Sequence, residues 1–253
     1  MRAAPETVVL PDADAVALAV AGRLRDLSLP PHPAPFAVAL AGGSTPRRLY
    51  ELLAHAPFRD GVRWDRLELF FGDERAVPPD HPDSNFGMVR RALLAHVTVY
   101  AHPMPAETGD ADAYARLLAE RIAPRRHGVP VLDLVLLGVG EDGHAASLFP
   151  ATAALHETAR WVVATEVPRL ATRRMTLTYP LLNAAARVWF LVTGASKRRV
   201  VERCLAGGAD AGEVETCPAL GVRPEAGELV WWLDAAAAGQ AAAGAAAAGR
   251  EDV

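Results

Sequence analysis

The sequence predicts an α/β fold: a doubly wound, mostly parallel sheet flanked by helices, in a single domain. Three observations predict it. Six apolar, β-rich runs are near-continuous rather than alternating, as strands covered on both faces are. Segments with helical spacing lie between them. Polar, glycine-containing stretches follow several of the strands, where open α/β sheets bind their ligands.

In order, the chain first offers Val16, Val20, Leu24 and Leu27 at helical spacing, then the Pro-rich surface loop "SLPPHPAP". The first core strand, Phe36–Ala41, runs into "GGSTPRRLY" and the helix "PRRLYELLAH". Thr45 reads as an N-cap there, with Pro46 at the first helical position. The second strand is Arg66–Gly72, followed by the helical segments "NFGMVRRALLAHV" and "DADAYARLLAERIA". The remaining strands are Leu132–Val139, Arg160–Val167, Arg174–Tyr179 and Arg187–Gly194, with the helix "SKRRVVERCLAG" after the last. No linker divides residues 1–234, which read as one domain. Residues 235–253 are an Ala/Gly run without an amphipathic stripe, expected to be a frayed helix or a disordered tail.

Composition narrows the function. An apolar fraction of 51% with 22% charged residues is that of a globular chain able to bury a core. The net charge of −4, with acids and bases interspersed, gives no basic footprint for nucleic acid. No run approaches a membrane span or the apolar core of a signal peptide, so a cytoplasmic setting is expected. Cys204 and Cys217 are too few for a disulfide framework or a zinc site of their own and read as two reduced thiols.

The strand ends carry the chemistry. Gly42, Gly43, Ser44 and Thr45 form a glycine-rich turn into a fresh helix N-terminus, a ready anion cradle without the spacing of a Walker loop. Asp73, Glu74 and Arg75 follow the second strand, and Gly194, Ser196 and Lys197 follow the sixth. Arg173 and Arg174 stand at the entrance of the fifth. Any one of these is ordinarily a solvated charge; together they point to one small anionic ligand.

Gly138, Gly140 and Gly143 in "LDLVLLGVGEDGHAASLFP" have the spacing of a dinucleotide fingerprint, and Glu166 imitates its ribose-binding acid. That motif needs a long helix after the third glycine, yet Pro150 follows almost at once, and Asp142 would repel a pyrophosphate. The alternative is a catalytic loop in which Asp142 orients His144 as a general base. Asp-x-His is also half a metal site, but no second ligand pair stands at metal spacing.

The motifs "ALAGGSTPRRLYELL", "FFGDERAVPPDHPDSNFGMVRRALL", "LDLVLLGVGEDGHAASLFP", "RRMTLTYPLLNAA", "VTGASKRRVV" and "GELVWWLD" together resemble those of the 6-phosphogluconolactonases, in the glucosamine-6-phosphate isomerase/6-phosphogluconolactonase superfamily. Ala151 departs from the pattern, which often has glycine after S-L-F-P. The resemblance implies a modified Rossmann-like, glucosamine-6-phosphate deaminase-like fold and hydrolysis of 6-phospho-D-glucono-1,5-lactone, in the oxidative pentose phosphate pathway, without metal or organic cofactor. It makes His144 the general base, Asp142 its orienting partner and Asp73 a shaping residue. Gly42, Gly43, Ser44, Thr45, Arg75, Arg174 and Lys197 become the phosphate and oxyanion contacts. The expected partner is the sugar-phosphate lactone alone, on a monomer or weak dimer. A deaminase-like isomerase and a non-catalytic sugar-phosphate binding protein are the rival readings.

Overall fold

The structure is a computed structural model and describes residues 5–31, 34–206 and 210–240. In chain order the first half contains β1 (Glu6–Leu10), α1 (Ala13–Ser28), β2 (Phe36–Leu40), α2 (Ser44–Leu53), α3 (Phe58–Gly61), β3 (Leu67–Phe71), β4 (Asp73–Arg75), α4 (Asn85–Val89), β5 (Tyr100–Ala101) and α5 (Ala111–Arg121). The second half contains β6 (Arg125–Arg126), β7 (Val129–Pro130), β8 (Leu134–Leu137), β9 (Val162–Val167), β10 (Thr172–Leu177), α6 (Tyr179–Ala184), β11 (Arg187–Val192), α7 (Arg198–Leu205), α8 (Ala211–Thr216) and β12 (Glu228–Asp234).

Seven strands form the central sheet in the order β1-β12-β11-β8-β2-β3-β5, and every neighbouring pair is parallel. The interior strands β2, β3 and β8 are buried at every residue, which is why their sequences do not alternate. Helices cover the sheet through apolar stripes such as Val16, Val20 and Leu24 of α1, all buried, with Leu27 half-buried at the end of the stripe. Asp12 starts that helix by accepting the Ala15 N–H at 2.8 Å. The segment read as one helix from Asn85 is α4 continued by a wider π turn at Arg90–Leu94.

Two of the six anticipated strands leave the parallel sheet. β9 and β10 pair antiparallel with each other, and β10 pairs antiparallel with β4, making a separate three-stranded sheet in the order β4-β10-β9. The reason is legible in the chain: only the short turn at Pro168–Leu170 and Ala171 joins β9 to β10. A parallel pair needs a crossover of about a dozen residues.

Gly72 joins the two sheets. It is the one residue between β3 and β4, its N–H donates to Leu40 O at the end of β2 (2.9 Å), and its carbonyl accepts the Leu177 N–H at the end of β10 (2.9 Å). Past β12 the chain makes a further turn at 235–240. There Ala237 is fully buried and donates its N–H to Asp234 Oδ1 at 2.7 Å. The rest of the Ala/Gly stretch, 241–253, lies outside the described residues.

Candidate active site

The loop after β8 carries the central pair. His144 Nδ1 lies 2.6 Å from Asp142 Oδ1, and the His144 backbone N–H donates to the same oxygen at 3.3 Å. Burial alone would raise the Asp142 carboxyl, but the hydrogen bond and charge of His144, helped by Arg169, outweigh it and hold the group at about 2. A carboxylate only accepts, so Nδ1 carries a proton, and in the neutral ring Nε2 is the nitrogen with the free lone pair. The imidazole is held from a second direction by the Phe149 ring, stacked on it at 4.1 Å between centroids. Gly140 makes this possible: a Cβ there would come within 2.0 Å of His144 Nδ1 and 2.3 Å of Asp142 Oδ1. No helix follows the glycines, and the segment turns through an isolated bridge between Ala145 and Leu148. A pyrophosphate-binding helix N-terminus is therefore missing from this loop.

His144 faces a cavity of about 220 Å³ at the carboxyl ends of β2, β8 and β11. Gly42, Gly43, Ser44, Thr45, Asp73, Arg75, Arg174 and Lys197 line the same cavity. Nine of the ten anticipated site residues thus meet there, and the tenth, Asp142, sits directly behind His144. Arg173 does not join them; it is exposed and opposes Glu166 across the β9–β10 pair.

Each wall has a local cause. Tyr50, fully buried in α2, accepts the Ala41 N–H (3.1 Å) and donates to Ala41 O (2.9 Å), pinning the chain where β2 gives way to the glycine turn. The cap differs from the expectation. Gly43 is the N-cap, α2 begins at Ser44, and Pro46 is the third helical residue. The Thr45 hydroxyl is instead engaged with Thr193 Oγ1 at 2.7 Å, tying α2 to the end of β11. The first-turn amides of Ser44 and Thr45 are left to the cavity without a side-chain cap.

The cations come mainly from the second sheet. Arg75 of β4 and Arg174 of β10 are register partners. Burial first, and then the neighbouring Arg75, push the Arg174 guanidinium below its ordinary value, against the pull of Asp73, Glu74 and Asp83. Lys197 enters from the turn before α7. Asp234 holds that turn by accepting the Gly194 N–H at 2.9 and 3.0 Å, so the last strand of the sheet places the lysine. Asp73 is buried and serves as an acceptor, from Ser147 Oγ at 2.6 Å and Asn85 Nδ2 at 3.2 Å.

Residues 11–231 match the family model described as glucosamine-6-phosphate isomerases/6-phosphogluconolactonase. The chain belongs to this family. A curated 6-phosphogluconolactonase from Streptomyces coelicolor is 38% identical over 95% of this chain and 96% of its own length. One from Synechocystis is 42% identical over 78% and 81%. Among solved structures, the 6-phosphogluconolactonase of Trypanosoma brucei superposes with a TM-score of 0.77 at 30% identity, over 93% of this chain and 98% of that one. A devB protein gives 0.83 at 33%, over 92% and 98%. A monomeric glucosamine-6-phosphate deaminase, 19% identical with a TM-score of 0.73 over 93% and 100%, shares the fold.

Several residues of this family member escaped the sequence reading. Asn85 lines the cavity, bonds Asp73 O at 2.9 Å, and lies so close to Gly42 that a Cβ there would meet its Oδ1 at 1.9 Å. Ser147 makes the shortest of these bonds to Asp73, and nothing in "HAASLFP" distinguishes it from a turn serine. Glu74, the middle of the Asp-Glu-Arg cluster, turns away from the ligand side. Its carboxylate accepts the Asn85 and Phe86 N–H groups at 2.8 and 2.7 Å and so caps α4. Arg169 pairs with Asp142 Oδ2. Cys204 and Cys217 are free thiols, both buried, with Sγ atoms 3.6 Å apart. Among the described residues no group of three or more His, Cys, Asp or Glu is placed to hold a metal ion, and no helix is long and apolar enough to cross a membrane.

Proposed function

We propose that the chain hydrolyses 6-phospho-D-glucono-1,5-lactone to 6-phospho-D-gluconate, in the oxidative pentose phosphate pathway and in the cytoplasm. The observation that carries this reading is an Asp-oriented imidazole in the same cavity as Arg75, Arg174, Lys197 and uncapped helix amides. A base and several cations in one cavity suit a neutral electrophile tethered to a phosphate. Relatives named 6-phosphogluconolactonase at 38–42% identity support the same reading.

In the mechanism, His144 Nε2 removes a proton from water as that water attacks the lactone carbonyl. The charge that develops on the imidazole is stabilised through Nδ1–H by Asp142. The arginines, Lys197 and the amides of Ser44 and Thr45 receive the phosphate and the oxyanion. When the tetrahedral intermediate collapses, the C1–O5 bond breaks and the imidazolium returns its proton to the departing ring oxygen. Asp73, held by Ser147 and Asn85, keeps β4 and the glycine turn in register.

The experiment is a lactone hydrolysis assay with chelator present and the spontaneous rate subtracted. An enzyme-dependent rate is expected, with no ammonia released from glucosamine 6-phosphate. Phosphogluconate binding without hydrolysis would reduce the chain to a binding protein, and ammonia release would make it an isomerase.

A further inference from the structure

Arg169 stands outside the set of residues assigned above, yet it completes a closed arrangement around the base. It lies in the β9–β10 turn, which is held by the Ala171 N–H donating to Pro168 O at 3.1 Å. Its guanidinium pairs with Asp142 Oδ2, while the other oxygen of that carboxylate bonds His144 Nδ1. The same guanidinium lies over Phe149, 5.3 Å from the ring centroid, and Phe149 is the ring on which His144 stacks. Arg169, Asp142, His144 and Phe149 therefore contact one another in a cycle that joins the second sheet to the catalytic loop.

We propose that Arg169 is a positioning residue that acts through Asp142, fixing the plane of the carboxylate against His144 and keeping the free imidazole neutral, ready to accept a proton. With the His144 bonds on Oδ1 and the Arg169 cation paired with Oδ2, rotation of the carboxylate about its Cβ–Cγ bond is opposed from both oxygens. The positive charge of Arg169 also opposes a second positive charge on His144, and it draws part of the Asp142 charge away from the ring.

Other charges face this cluster. Arg174 lies 5.6 Å from the Phe149 centroid, Asp73, Arg75 and Lys197 share the cavity, and the Cys217 thiol packs beneath Gly143. They are common to every variant below, so a change seen on altering Arg169 belongs to Arg169. The kinetic part of the proposal rests on the lactonase reading. The titration of His144 does not.

The test uses the full chain with Arg169→Gln and Arg169→Lys. The imidazole of His144 is followed by NMR across pH in ligand-free protein, its signal assigned by its loss in His144→Asn, and kcat and KM are measured over the same range. In Arg169→Gln the His144 titration and the acid limb of kcat/KM should move together to higher pH by about half a pH unit. That is less than a buried pair would give, because the Arg169 side chain is 52% exposed. kcat near neutral pH should fall several-fold with KM little changed, and Arg169→Lys should return the titration most of the way. A titration that stays in place in Arg169→Gln overturns the proposal, whether kcat falls uniformly, as for a structural residue, or KM alone rises, as for a substrate contact. If the wild-type chain hydrolyses no lactone, the lactonase reading fails by itself and the NMR titration still decides the role of Arg169.

Discussion

Arg75 and Arg174 face each other as a register pair across β4 and β10, two cations where an antiparallel sheet would favour opposite charges. Like charges so placed destabilise a strand pair. Arg75 gives one N–H to Asp83 O, and Arg174 Nε reaches only Thr172 Oγ1 at 3.5 Å. Neither forms a salt bridge among the described residues, so the folded protein holds positive charge that an anion in the cavity would neutralise.

Arg174→Gln should therefore separate folding from binding. The thermal midpoint of the free protein stays level or rises, because a repulsion is removed. KM for the phosphorylated lactone rises about ten- to a hundredfold, the loss of a charge-assisted contact worth about 1.5–3 kcal/mol. Scanning calorimetry and steady-state kinetics on one preparation give both numbers; a KM within twofold of wild type would remove Arg174 from the phosphate site.

His144→Ala should lower kcat by about 10²–10⁴ while leaving the affinity for 6-phosphogluconate nearly intact. Gly140→Ala should lower kcat in the same direction although it alters no reacting group, since its Cβ displaces the imidazole from Asp142. Rates for the two variants, with product affinity by calorimetry, check this. A Gly140→Ala enzyme of wild-type kcat would mean that the pair tolerates the intrusion.

Ala151 has φ +57°, in the left-handed region where a Cβ costs about 1–2 kcal/mol. The glycine that the family resemblance leads one to expect here has a structural explanation in that angle. Ala151→Gly should stabilise by about 0.5–1 kcal/mol once the greater freedom of glycine in the unfolded chain is subtracted. Chemical denaturation measures it, with kcat unchanged.

Glu68 is buried in β3 with His102 Nε2 at 3.0 Å and Arg121 Nε at 3.0 Å. Burial pushes its carboxyl up, but the bonds from Arg121 and His102 prevail and bring it below its ordinary value. A carboxyl that is lowered on folding contributes stability above its unfolded pKa, and that contribution is lost as pH falls through the folded one. Unfolding free energy should accordingly drop between about pH 5 and 3, and Glu68→Gln should flatten part of that drop while costing stability at pH 7. An unchanged slope in the variant would assign the acid sensitivity to other carboxylates.

What the sequence disclosed, and what it hid, follows from the range of the interactions involved. Buried parallel strands announce themselves by unbroken apolar runs, and β2, β3, β8 and β11 were read from theirs. β1, β5 and β12 were not: β1 and β5 are short, half-exposed edge strands, and β12, although interior, was read only as the motif "GELVWWLD" ahead of the Ala/Gly run. The Asp142–His144 pair was legible because the two residues are two positions apart on one loop. Ser147, Asn85 and Arg169 act across separations that only folding closes, and each sits in a local context that an ordinary surface residue could share. The placing of β9 and β10 in the parallel sheet overlooked the shortness of their connection, a signal that was present.

Gly72 has a consequence for the shape of the cavity. Its two backbone hydrogen bonds set the parallel sheet, which bears the base, against the antiparallel sheet, which bears the arginines. The placing of the His144 loop relative to Arg75 and Arg174 is therefore set in part by main chain. Any substitution that lengthens or breaks either of these bonds would shift Arg75 and Arg174 as a unit relative to His144, without touching a side chain of the cavity.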